Sequence, residues 1–365
     1  SRQDLRRRWL TRIERDPWVS CCTQMKLRKR QASGTIARLR LHNAGNAFFL
    51  ASITVGSERT PFRVVVDTGS TKLWLPGTDC ACGGTHRRYT AGQSATPLNS
   101  HFVAGYVSGS VYGTLYRDKV WLEGVPLHVE FGVVNDACGL PGFMDAEYDG
   151  ILGLGTSEGQ PMGNGLIQEL RRRAELDSFA LRLGRLEGPE LTLSRNGGLS
   201  RSDFNVLQAT RFEKPGWHVR LKQTLVGKDD IMRQPNHALV DSGTTFTLGP
   251  KADLQRLARK VGAQRRKDNP NQFVIPCQAA LSGDLPEIQL VFEGDGKPWV
   301  WKLQPQEYVL QDRYSSKRGS EECILAFAAH EGDERWIIGC TLLRQCQVAF
   351  DAKGKQVGFA PESST

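Results

Sequence analysis

From residue 48 onward the chain alternates short apolar runs with Gly, Pro and polar clusters. Seven runs rich in branched and aromatic residues read as strands: 48–55, 62–66, 111–115, 129–134, 179–183, 288–292 and 347–350. Helical periodicity is confined to two sizeable stretches. Residues 166–176 place Leu166, Ile167, Leu170 and Ala174 on one face. Residues 250–261 open on a proline suited to a first helical turn and repeat Leu254, Leu257, Ala258 and Val261. Many short strands with few helices predict a mainly β protein.

Within this pattern the chain repeats itself. Val64-Val65-Val66-Asp67-Thr68-Gly69-Ser70-Thr71 returns as Ala238-Leu239-Val240-Asp241-Ser242-Gly243-Thr244-Thr245. Each copy is an apolar strand running into Asp-hydroxyl-Gly-hydroxyl-Thr. Further on, each is followed by two branched apolar residues and a glycine, Ile151-Leu152-Gly153 and Ile337-Ile338-Gly339. A single Asp-(Ser/Thr)-Gly is ordinary turn chemistry. Two copies with matching strands before them and matching segments after them imply two similar lobes, each placing one carboxylate at a strand-to-loop turn.

Composition narrows the picture without changing it. A chain of 365 residues has room for about two globular units. With 39% hydrophobic and 24% charged residues it is neither fibrous nor wholly disordered. No apolar run approaches the ~18–20 residues of a membrane span, so no stable membrane insertion is expected. The formal charge of +9 first suggests nucleic acid or an acidic surface as partner. Its location weakens that reading: residues 1–40 hold twelve Lys/Arg against three acids, and the remainder of the chain sums to zero. No nucleic-acid partner is therefore expected for the body. The chain opens Ser1-Arg2-Gln3 with no apolar leader, so either a leader has been removed or the chain is trimmed. Nine cysteines point to disulfides and an oxidising compartment, and their odd number leaves at least one thiol free or paired outside the chain. No Asn-x-Ser/Thr sequon is present, so N-glycosylation is not expected.

The duplicated motifs carry a resemblance. Asp67-Thr68-Gly69-Ser70 with Leu73-Trp74-Leu75-Pro76, Tyr148-Asp149-Gly150-Ile151-Leu152-Gly153-Leu154-Gly155, Asp241-Ser242-Gly243-Thr244-Thr245, Gln306-Glu307-Tyr308-Val309-Leu310 and Ile337-Ile338-Gly339 through Phe359-Ala360-Pro361 together resemble the pepsin-like aspartic proteases. That bilobal family includes cathepsin D, renin and the plasmepsins, and the likeness runs from about Asn46 to Pro361. It implies two pseudo-twofold-related β lobes with a cleft between them. The expected division is a basic propeptide-like segment 1–38, an N-terminal lobe 39–206 and a C-terminal lobe 207–365.

The implied activity is that of an aspartic endopeptidase in which Asp67 and Asp241 form the catalytic pair. Two carboxylates held close in a partly dry cleft cannot both ionise at low cost, so one keeps a proton while the other acts as base toward a shared water. This chemistry requires neither a covalent acyl-enzyme nor a metal, and no cofactor is expected. Gly69 and Gly243 let backbone N–H groups approach the carboxylates. Ser70 and Thr244 resemble the family's outer hydroxyl partners, and Thr68 and Ser242 the hydroxyls that tie the two loops together. Tyr106-Val107-Ser108-Gly109-Ser110 falls where the family has its flap, usually Tyr-Gly-Thr-Gly-Ser. Tyr106 is the expected flap tyrosine, Trp74 its hydrogen-bond neighbour, and Ser108 a further substrate-binding position. Trp217 reads equally as a cleft residue or as core. The expected partners are extended polypeptide substrates, pepstatin-type inhibitors and the chain's own propeptide, on a monomeric protein. The alternative reading is a catalytically impaired pepsin-fold peptide-binding protein, favoured only by Val107 and Ser108.

The resemblance also implies a disulfide between Cys277 and Cys323. Cys80 and Cys82 fall where many members have a small disulfide loop, yet the Cys-x-Cys spacing is tight for a mutual bridge; with His86 they read alternatively as metal ligands. One economical arrangement has Cys21 or Cys22 bridging to the body. By the same resemblance, the basic segment covers the acidic cleft as a zymogen propeptide, with Lys26 or Lys29 facing the acid pair. Leu27-Arg28-Lys29-Arg30-Gln31 reads as a processing site. The expected location is the secretory pathway, secreted or in an acidic vesicle. A solvated basic tail is the plainer alternative for this segment.

Overall fold

A computed structural model describes residues 34–361 apart from 141, 157–165, 185–187, 196–203, 211–214, 295, 312–321 and 333. Cys21, Cys22, Lys26, Lys29 and the basic processing site lie outside the described residues.

The duplication seen in the sequence is a duplication of strand order. In the first half, strand Thr60–Asp67 runs parallel to Gly150–Gly153, which lies antiparallel to Leu73–Pro76, itself parallel to Val125–Asp136. In the second half, Asn236–Val240 runs parallel to Trp336–Ile338, which lies antiparallel to Thr247–Pro250, itself parallel to Glu322–His330. In both, the apolar-apolar-Gly segment threads between the strand that ends at Asp and the strand that follows it. Such a strand is covered on both faces, which is why Gly150–Gly153 and Trp336–Ile338 are apolar and wholly buried rather than alternating. The closing glycines permit the threading. A Cβ on Gly153 would lie 2.4 Å from the Lys72 backbone nitrogen, and one on Gly339 would lie 2.2 Å from the Phe246 carbonyl oxygen.

Each half builds its own sheet around this crossing, eight strands in the first and eleven in the second. A third, six-stranded sheet takes strands from both, in the order Thr35–Arg40, Glu190–Ser194, Ser178–Arg182, Cys346–Asp351, Gln356–Pro361, Asn205–Gln208. Phe179 and Phe350 pair across it and stack with ring centroids 4.7 Å apart. Helix Leu166–Ala174 buries Leu166, Ile167, Leu170 and Ala174, the face its periodicity predicts. Helix Lys251–Val261 starts at the Pro250 cap and ends at Gly262, whose left-handed φ of 72° lets its N–H reach the Arg259 carbonyl.

Cys277 and Cys323 are disulfide-bonded across 46 residues. Closing a loop of that length stabilises the folded state by about 4 kcal/mol in the chain-entropy account. Cys80 and Cys82 are also joined to each other, against the expectation from their spacing. The chain turns there rather than running extended, which brings the two Cα atoms to 5.3 Å, inside the range a disulfide spans. No helix among the described residues is long and apolar enough to cross a membrane.

Glu307 shows how the second lobe depends on pH. It is 4% exposed; Oε2 accepts the Gln304 backbone N–H at 2.7 Å, and Oε1 is buried with no hydrogen-bond partner among the described residues. Burial first, and then the Glu287 charge, push its carboxyl up to about 7 from the ordinary 4.5, against the opposing Gln304 N–H bond. The folded protein thus holds this proton more tightly than the unfolded chain does. The resulting stability is fully present below about 4.5 and is lost as pH rises through about 7. Thermal unfolding followed against pH should show Tm falling across that window. Glu307→Gln should flatten the fall; an unchanged slope would rule out this carboxyl as its source.

Candidate active site

The crossing in each half determines where its aspartate goes. Strand Thr60–Asp67 delivers Asp67 to its own end, where the Asp67 carbonyl accepts the Leu154 N–H at 2.7 Å. Strand Asn236–Val240 delivers Asp241 just past its end, where the Asp241 N–H donates to the Ile338 carbonyl at 3.0 Å. The loops beyond are held the same way, Gly155 N–H on the Ser70 carbonyl at 2.7 Å and Cys340 N–H on the Thr244 carbonyl at 2.8 Å.

The two loops then meet back to back. The Thr68 N–H donates to Ser242 Oγ at 3.1 Å, and the Ser242 N–H donates to Thr68 Oγ1 at 3.0 Å. Each hydroxyl passes its own proton to a carbonyl of the opposite strand, Thr68 to Val240 at 2.8 Å and Ser242 to Val66 at 2.7 Å. Both side chains are wholly buried, and these N–H and hydroxyl groups of Thr68 and Ser242 find their partners across the interface.

This clasp sets the carboxylates side by side. Asp67 Oδ1 accepts the Gly69 N–H at 2.8 Å and Oδ2 accepts the Ser70 hydroxyl. Asp241 Oδ1 accepts the Gly243 N–H at 2.7 Å and Oδ2 the Thr244 hydroxyl at 2.6 Å. Each glycine lies against the opposite acid: a Cβ on Gly69 would sit 2.4 Å from the Asp241 carboxyl carbon, and one on Gly243 would sit 2.4 Å from Asp67 Oδ1. Asp67 is 4% exposed and Asp241 7%. Burial first, then the neighbouring Asp241 charge, raise the Asp67 carboxyl well above the ordinary carboxylate range, against the Ser70 and Gly69 hydrogen bonds that oppose the shift.

The pair opens into a cleft of about 800 Å³ lined by both halves. Gly69, Gly243 and Thr244 line its floor, and Tyr106, Val107 and Ser108 its roof. The roof is the tip of a long hairpin, Thr96–Tyr106 against Gly109–Leu122, with Tyr106 paired to Gly109. The hydroxyl of Tyr106 accepts the Trp74 indole N–H at 2.7 Å. Val107, at the tip, is 64% exposed. The two departures from the flap pattern, Val107 and Ser108, leave the Tyr106–Trp74 contact in place.

Trp217 belongs to the core. It is buried among Phe179 and Phe350, and its indole N–H donates to the Leu154 carbonyl of the other half at 2.9 Å. His86 is buried in a face-to-face stack on Phe143, while the disulfide takes up both nearby sulfurs. Asp149, in the Tyr148-Asp149-Gly150 segment, is structural: it accepts the backbone N–H groups of Arg63 and Arg87, both at 2.8 Å. Cleft residues outside the sequence-derived set include Phe48, Lys72, Leu140, Leu239 and Arg335. For Lys72 and Leu239 the signal was proximity, since both lie within a few residues of a site aspartate.

Twin β crossings that clasp two Asp-hydroxyl-Gly loops at the floor of an interlobe cleft define the pepsin-like class. The chain belongs to the eukaryotic aspartyl protease family, whose family model matches residues 48–362. It is 27% identical over 348 residues to renin-2 of Mus musculus, an alignment covering 89% of this chain and 82% of that protein. Human cathepsin D is 29% identical over 355 residues, covering 88% of this chain and 82% of the relative. Renin of Canis lupus familiaris is 28% identical over 362 residues, with 91% and 84% covered.

The clasp should contribute measurably to stability. Ser242→Ala strands the Val66 carbonyl and the Thr68 N–H in a dry interface, which should cost about 1–3 kcal/mol for each group. Urea unfolding should register that loss. A variant as stable as the parent would show that the clasp does not join the halves.

Proposed function

We propose that the chain is an aspartic endopeptidase that hydrolyses extended polypeptides with a water shared by Asp67 and Asp241. The observation that carries this reading is the packing of each carboxylate against the glycine of the opposite loop, with matching hydroxyl and N–H partners on both sides. The pair holds one proton. Its charged member takes a proton from the water as that water attacks the scissile carbonyl. Its protonated member donates to the carbonyl oxygen and later helps protonate the leaving amine. These roles belong to the pair and not to either residue alone.

An extended peptide suits the cleft, binding by strand-like backbone hydrogen bonds with pockets for alternate side chains. Tyr106 closes over it from the hairpin, oriented by Trp74. Intact partners around both aspartates speak against an impaired binding protein. The basic segment is read as a propeptide because its charge and position match the basic propeptides of the family's zymogens, with domain boundaries at 38 and 206. The disulfides support synthesis in the secretory pathway.

Peptide cleavage measured against pH tests the reading. Asp67→Asn and Asp241→Asn should each lower kcat/KM by about 10²–10⁴-fold with the fold retained. A pepstatin-type inhibitor should block the parent. Because the Asp67 carboxyl is raised, activity should fall as pH climbs past its titration, where the shared proton is lost. Cutting after Arg30 should raise activity. Undiminished cleavage by either Asn variant would overturn the pair, and equal activity of whole and trimmed chains would overturn the propeptide.

A further inference from the structure

Lys72 lies five positions after Asp67, on the continuation of the same loop, and its side chain lines the cleft. Its Nζ donates to the Val103 carbonyl at 2.7 Å and sits 5.2 Å from the centre of the Phe102 ring. Both contacts are to the outer strand of the roof hairpin, Thr96–Tyr106. An ammonium carries three donors, and the Val103 carbonyl uses one of them. Half-burial lowers the proton affinity of Lys72. Among the described residues, no carboxylate forms an ion pair with it.

The other charged side chains of the cleft outside the acid pair, Glu331 and Arg335, come with His330 from the second half, and the first half adds the phenols of Tyr106 and Tyr148. Glu331 is engaged by Lys251, and His330 Nε2 lies 2.8 Å from the Arg335 carbonyl. A half-buried cation with unused donors at the wall of a peptide cleft is completed by an anion that arrives with the substrate. An ion pair formed there, partly screened from water, is stronger than one on the open surface.

Resting on the endopeptidase reading, we propose that Lys72 is a specificity-determining residue that selects an acidic substrate side chain. The side chain selected is the one passing between the Asp67 loop and the outer strand of the roof hairpin. The Val103 bond and the Phe102 ring both engage the ammonium, so it is positioned before substrate arrives.

The test is a set of peptide pairs differing only by Glu or Gln at each position around the scissile bond. They are assayed at pH of about 5, where a glutamate side chain is mostly ionised. At one position the parent should prefer Glu by about tenfold in kcat/KM, the order of a charge-assisted hydrogen bond. Lys72→Met, which keeps an apolar stem on Phe102, should bring that ratio to about one, and Lys72→Arg should retain it. A ratio near one at every position in the parent overturns the proposal. So does a Glu preference that survives in Lys72→Met, or a fall on both peptides that leaves the ratio intact, which would make the lysine only a fastener of the hairpin. Equilibrium binding of the same pairs, to the full chain and to the chain cut after Arg30, separates this inference from the catalytic one. A Glu preference in binding without cleavage supports the lysine and overturns the protease, cleavage without preference does the reverse, and neither cleavage nor preference overturns both.

Discussion

Everything at the centre of this protein depends on the reciprocal hydrogen bonds between Thr68 and Ser242. Each backbone N–H finds its acceptor on the other loop, and each hydroxyl proton finds its carbonyl on the opposite strand. Buried polar groups left unpaired are expensive, so neither loop is stable without its counterpart. The clasp therefore does two tasks at once. It joins the halves, and it presses two like-charged groups together against their electrostatic preference. A single-lobed version of either half would expose its Asp-hydroxyl-Gly loop and lose both the geometry and the raised Asp67 carboxyl.

That constraint explains why the motif has the composition it does. The hydroxyls at 68 and 242 must bond across the interface, so any residue lacking one breaks the ring of bonds. Ser in place of Thr at 242 is tolerated because only Oγ takes part. Positions 69 and 243 cannot carry a side chain, since a Cβ there meets the opposite carboxyl. Ser70 and Thr244 each bond the outer oxygen of their own acid, leaving the carboxylates pinned on both oxygens before any substrate is bound. Pinning before binding is what makes such a site effective, because little reorganisation is left for the reacting state.

The sequence exposed this centre readily, since repetition filters chance: one Asp-Thr-Gly is a turn, whereas two with matched flanking strands are a fold. Strands such as Phe48–Val55 and Ile288–Phe292 were legible to the residue because their apolar runs end at clear breaks. Of the hairpin strand Gly109–Leu122 the sequence pattern marks only 111–115, because the exposed polar positions dilute the apolar signal. Helices Pro305–Tyr308 and Cys340–Leu343 are each a single turn, too short for any periodicity to register. The pairing of Thr35–Arg40 with Glu190–Ser194 joins distant segments through backbone bonds that leave no compositional mark. Trp217 was undecidable for the same kind of reason: an isolated indole signals burial and not direction, and only the Leu154 carbonyl reveals which way it faces.

The two halves are equivalent at the floor of the cleft and unequal at its walls, and this inequality gives the cleft its direction. Counting from each aspartate, Trp74 in the first half corresponds to Leu248 in the second, and Lys72 to Phe246. Only the first of each pair carries a polar group able to engage the roof: the Trp74 indole holds Tyr106, and the Lys72 ammonium holds the Val103 carbonyl. Leu248 and Phe246 have no such group. A strictly twofold cleft would bind a peptide equally in either chain direction, whereas a roof fastened to one wall distinguishes the two. On the proposed reading, the symmetric floor would supply the chemistry and the asymmetric wall would set how a polypeptide lies across it.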